Sequence, residues 1–185
     1  MTEKAPTGPL LVVIDMQTVF ADSASPWAAP RFGSALAGVR ALLDGFGGRA
    51  VFTRFVAPQR PEGAWVEYYR QWPFALQPPE APLWELVPEL DVDGRDVLDS
   101  PAFGKWDDRL AARVGDARAL VLAGVSTDCC VLSTALAAAD AGVAVRVCAD
   151  ACAGASDADH RRALEAMALY QPLVTVTSVA EVLAG

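Results

Sequence analysis

Two cysteines stand side by side at Cys129 and Cys130, between the apolar run Ala119 to Val125 and the Ala- and Leu-rich stretch that continues to Ala141. A run of that length reads as a strand buried on both faces, and the stretch after it as a helix. The thiols therefore sit where a strand ends and a helix begins. Free N–H groups and the positive dipole end of a helix favour an anion there, and a thiolate is a nucleophile. Neighbours on one helical turn point in different directions, so one cysteine is expected to face a site while the other fills the core. Position alone does not say which.

A thiolate attacking a carbonyl needs a group to take and return its proton, and donors for the nascent oxyanion. The single histidine, His160, falls on the first turn of a later helix, so a carboxylate is the candidate base. Asp15 closes the apolar run Pro9 to Ile14, and burial with a neighbouring cation would adjust it for proton transfer. The chain has two lysines, Lys4 and Lys105, and Lys105 is the one in the body of the domain. An ammonium near a carboxylate and a thiol would stabilise both anions, forming a Cys-Asp-Lys unit. Each residue also has an ordinary reading: core thiol, turn carboxylate, surface lysine.

The elements that would position these groups alternate between strand and helix. After the Pro9 to Ile14 strand, Ser34 to Phe46 has helical spacing and Ala50 to Phe55 reads as a strand. From Ala57 to Val92 the pattern dissolves, with seven of the 13 prolines and the aromatics Trp65, Tyr68, Tyr69, Trp72, Phe74 and Trp84. A long irregular excursion points to a substrate-lining role or to a cover for the fold or a subunit contact. A short strand at Arg95 to Leu98 and a helix to about Val114 lead into the cysteine-bearing unit. Strands at Val143 to Cys148 and Leu173 to Val176 follow, with a helix between them capped by Ser156. Such alternation predicts a parallel sheet covered on both faces, with ligands bound outside the carboxyl ends of the strands. Asp15, the segment after Leu98 and the Ser126 to Cys130 turn would then share one crevice.

The chain of 185 residues fits a single domain over residues 1–185 and is 53% hydrophobic, which suits a doubly covered sheet or an oligomer. Its formal charge of −8 argues against nucleic acid and against an anionic membrane surface as partners. No apolar run is long enough to span a bilayer, and the polar, Pro-containing start lacks a signal-peptide core, so a cytoplasmic protein with reduced thiols is expected.

Leu11-Val12-Val13-Ile14-Asp15-Met16-Gln17, the Gly124 to Val131 turn with Ser133-Thr134-Ala135 behind it, and Asp150-Ala151-Cys152 with His160 downstream resemble the isochorismatase-like cysteine hydrolase superfamily. The resemblance implies a three-layer α/β/α fold with a six-stranded parallel sheet, and hydrolysis of a non-peptide C–N bond of a small molecule through a Cys thioester. It implies Asp15 as acid/base, Cys130 as nucleophile, a cis peptide at Val125-Ser126, and the Ser126 and Cys130 N–H groups as oxyanion hole. The family's lysine commonly sits at the end of the third strand, where this chain has Asp96, Val97 or Leu98, so Lys105 is the expected substitute. Phe20, Phe103 and Trp106 flank these residues and are expected to wall an apolar pocket. The family's nicotinamidases bind a metal through an Asp and two His near the second strand. Thr53 to Trp72 has no His, so neither a metal nor a cofactor is expected and nicotinamidase activity is disfavoured. Vinyl ether hydrolysis of the isochorismatase type and a silent binding protein of the same fold are the alternatives. A homo-oligomer is expected by resemblance and apolar content.

Overall fold

Every residue of β1 (Leu10–Ile14) is buried, as a strand of pure Leu, Val and Ile demands. Its side chains alternate between two cores. Leu11 and Val13 join one cluster, Leu10, Val12 and Ile14 the other, which is the period-two signature of a sheet covered on both faces. The computed structural model describes residues 8–185.

After β1 come α1 (Thr18–Ala21), α2 (Phe32–Phe46), β2 (Ala50–Phe55), α3 (Ala64–Gln71), β3 (Asp96–Ser100), α4 (Asp108–Val114) and β4 (Ala119–Val125). A π-helical turn at Thr127–Val131 then leads into α5 (Leu132–Asp140), β5 (Ala144–Ala153), α6 (Asp157–Ala168), β6 (Val174–Thr177) and α7 (Val179–Leu183). All six strands are parallel, in the order β3-β2-β1-β4-β5-β6. Strand order therefore reverses between β1 and β4, and the crevice of an open α/β sheet lies at their carboxyl ends. Ile14 pairs with Gly124 in register, so Asp15 and Ser126 leave the sheet beside one another. Among the described residues no helix is long and apolar enough to cross a membrane.

Four elements differ from expectation. The excursion after β2 contains α3, whose Trp65, Tyr68 and Tyr69, with Trp72 just past its end, recur at helical spacing, a signal that the surrounding prolines mask. β3 runs on to Ser100 because Arg54 of β2 forms a two-pronged ion pair with Asp99, at 2.7 and 2.6 Å. β5 continues through Asp150 to Ala153, with a register irregularity between Leu122 and Gly124 of β4; Asp150 is accommodated by accepting from the Val179 N–H of α7 at 2.8 Å. The cysteine turn is a wide π turn, with α5 beginning only at Leu132.

Gly124 marks the tightest approach of the two central strands. Its φ of 117° is open to glycine, and a Cβ there would lie 2.1 Å from the Ile14 carbonyl oxygen. Gly124→Ala is expected to cost about 4 kcal/mol or more in urea denaturation, the severe end for one substitution. Gly33→Ala, in α2 with open space around it, gains up to about 1 kcal/mol from helix propensity.

Candidate active site

Asp15 ends β1 with φ 48°, a left-handed conformation that Asp tolerates better than bulky residues and that turns its carboxyl out of the strand. The residue is fully buried. Thr53 of β2 donates its hydroxyl to Oδ1 at 2.6 Å, and the Thr53 carbonyl accepts the Asp15 N–H at 3.2 Å. The other oxygen, Oδ2, lies 2.9 Å from Lys105 Nζ. That contact is close in distance but poorly directed for a hydrogen bond, so Oδ2 keeps unspent acceptor capacity in a dry site.

Lys105 arrives on the loop between β3 and α4, and its side chain is 1% exposed. The ammonium also donates to the Ala102 carbonyl at 2.8 Å and sits 5.0 Å from the centre of the Phe55 ring. An ammonium out of water needs such partners, since desolvation costs several kcal/mol per ion. Thr134 of α5 holds the loop in place: its hydroxyl accepts the Lys105 N–H at 2.9 Å and donates to the Cys130 carbonyl at 2.6 Å. One hydroxyl thus ties the lysine loop to the cysteine turn. Thr134 belongs to a sequence motif, but its role is not legible there, because the bond crosses 29 residues.

The two cysteines have opposite surroundings. Cys130 is 3% exposed, while Cys129 is half-buried, its sulfur 3.7 Å from Asp128 Oδ2. Burial, then the Asp128 charge, push the Cys129 thiol up to about 11. Burial and the Asp15 charge likewise push Cys130 well above the ordinary range, against a pull downward from Lys105 and from the Ser126 backbone. The expectation of a resting thiolate held by a helix start is therefore corrected: in a dry site beside a carboxylate, the neutral thiol is favoured. The peptide bond between Val125 and Ser126 is cis. His160 accepts or donates at Nδ1 to Thr127 Oγ1 at 2.8 Å, and burial lowers it toward neutrality.

A cavity of about 340 Å³ opens onto this turn, lined by Ser126, Asp128, Cys129 and Cys130 and by the rings of Phe20, Trp27, Phe55, Tyr68, Trp72 and Phe103. Phe20 and Phe103 lie where the sequence places them. Trp106 does not: it packs against the α4/α5 core on the other face, because the loop spends its inward-pointing position on Lys105. Tyr68 and Trp72 come from the excursion whose aromatics the sequence leaves open as substrate lining or as cover, and Trp27 adds a ring that no sequence pattern marks. Gln17 secures that wall, its buried amide bonding Phe55 O, Trp84 O and Phe55 N at 2.9, 2.8 and 2.8 Å. Among the described residues no three His, Cys, Asp or Glu side chains converge as metal ligands would.

Residues 9–181 match the family model of the Isochorismatase domain. A curated relative, Isochorismatase domain-containing protein 2 of Xenopus laevis, is 36% identical over 84 residues, 44% of this chain and 41% of that protein. The match thus spans under half the length of that relative. A solved cysteine hydrolase from Pseudomonas syringae pv. phaseolicola 1448A superposes with a TM-score of 0.83 at 20% identity, over 100% of this chain and 97% of that one. An isochorismatase-like hydrolase from Alkaliphilus metalliredigens gives 0.77 at 18% identity, over 96% and 98%. At those identities the likeness is one of fold.

Two outcomes follow from the thiol and its anchor. The raised Cys130 thiol keeps its proton where the unfolded chain releases its own, so folding stability falls as pH rises past about 9; Cys129, Cys148 and Cys152, also raised by burial, act the same way, and Cys130→Ser makes the decline shallower by the Cys130 share in pH-dependent melts. Thr134→Val is expected to destabilise by about 1–3 kcal/mol and to shift the pH profile of Cys130 alkylation, while Thr134→Ser restores both.

Proposed function

The chain belongs to the isochorismatase domain family, and on that premise we propose that it is a cysteine hydrolase that cleaves a non-peptide C–N bond of a small amide or related carbonyl compound. The observation that carries this reading is the wholly buried Asp15–Lys105 pair at 2.9 Å, acting on the Cys130 thiol at the edge of an aromatic cavity.

As the substrate carbonyl meets Cys130, the thiol proton passes to Asp15 and sulfur bonds to the carbonyl carbon. The oxyanion is received by the Ser126 and Cys130 N–H groups. Collapse breaks the C–N bond, and Asp15 returns its proton to the departing nitrogen, leaving a thioester and a free amine. Water then adds to the thioester, losing a proton to Asp15; the acid leaves and the proton goes back to sulfur. Lys105, 2.9 Å from Asp15 Oδ2, offsets the negative charge of the carboxylate whenever Asp15 is unprotonated. A neutral resting thiol suits this sequence, because the proton moves only when a substrate fills the cavity and the charge has somewhere to go. The charge of −8 supports a small molecule over nucleic acid as partner.

Intact-mass analysis after iodoacetamide is the direct test. Cys130→Ala is expected to lose the adduct and all amide turnover, and Cys129→Ala to keep both; the reverse pattern sinks the assignment. Lys105→Met lowers kcat/KM on any amide turned over by about 10²-fold or more.

A further inference from the structure

The cavity wall is aromatic and apolar except at one place. Among the described residues Asp128 is its only charged lining side chain; Lys105 is turned to Asp15, the Ala102 carbonyl and the Phe55 ring. The Asp128 carboxylate is anchored through one oxygen. Oδ1 accepts the Ser126 hydroxyl at 2.7 Å and the Ala155 N–H at 2.9 Å, whereas Oδ2 has only the Cys129 thiol, at 3.7 Å. Among the described residues no Lys, Arg or His nitrogen lies within salt-bridging reach of it. Thr127, next to it, holds His160.

A cavity whose lining joins a carboxylate with an underused oxygen to the rings of Phe20, Trp27, Tyr68, Trp72 and Phe103 is an arrangement for a cation. Ring faces attract positive charge through their quadrupoles and cover the methyl or methylene groups around it, and the carboxylate adds Coulomb attraction in a partly desolvated place. An anionic group would meet Asp128 across the same space and be turned away, so the wall also selects against acids. A neutral group of equal size fills the volume but gains nothing from Asp128.

We infer that the substrate carries a cationic group, a quaternary ammonium or protonated amine, seated between Asp128 and the aromatic wall, with its scissile carbonyl a short spacer away at Cys130. This rests on the hydrolase reading for the carbonyl end, while the cation site stands on the cavity alone. The spacer is short because Asp128 and Cys130 are two residues apart and line one cavity.

The test compares trimethylammonioacetamide with its uncharged carbon isostere 3,3-dimethylbutanamide, each titrated calorimetrically at low salt into the full chain carrying Cys130→Ala, which binds without turnover. The cationic amide is expected to bind about tenfold tighter. Asp128→Asn, which keeps the oxygen facing Ser126 and Ala155, should erase most of that ratio. Trp72→Leu, in the same wall, should weaken the cation several-fold more than the isostere. Equal or tighter binding of the isostere, no saturable binding of the cation in the millimolar range, or a ratio indifferent to both variants overturns the inference. A wild-type Cys130 that takes no iodoacetamide adduct while the binding ratio holds overturns the hydrolase reading instead.

Discussion

The buried ion pair between Asp15 and Lys105 is the constraint around which the molecule is arranged. Two charges out of water are tolerated only if the chain meets each of them with further partners. Here those partners come from three separate parts of the chain: the Thr53 hydroxyl and the Phe55 ring of β2, the Ala102 carbonyl after β3, and the Thr134 hydroxyl of α5 that fixes the lysine loop. Replacing the pair with apolar residues would serve stability at least as well. Its presence in the crevice at the strand switch point marks it as part of a site.

The pair also explains why two adjacent thiols differ. Burial and the Asp15 anion keep the proton on Cys130 against the opposing pull of the Lys105 cation. On Cys129 burial comes first, then the charges of Asp128 and Asp159, and all of them hold its proton on. On the proposed reading, two carboxylates in unlike settings divide the work: Asp15, dry and paired, exchanges protons, and Asp128, anchored by neutral donors, shapes the field at the cavity wall.

Much of this was legible in linear sequence where the controlling interaction is local. Apolar runs of five to seven residues can only be covered strands, and Asp15 and Ser126, which follow two of them, had to emerge at one sheet edge. The family resemblance named Cys130 over Cys129 as the nucleophile, an assignment carried into the proposed function. What was not legible is what depends on which way a loop turns. Trp106 and Lys105 are neighbours, yet one points into the α4/α5 core and the other to Asp15, and nothing in their spacing says which. The aromatic helix α3 was hidden among prolines, and Trp27, in a stretch without periodicity, became the centre of the ring cluster.

Residue type and order alone determined the strand-helix alternation, the parallel sheet and the family, because those follow from hydrophobic period and from short motifs. The tertiary structure alone decided that a lysine outside the family's usual place reaches the buried carboxylate, that the resting thiol is neutral, and that the cavity presents one unpaired negative charge. Each of these is a property of dielectric and distance between segments remote in the chain, and burial is set only when the segments meet.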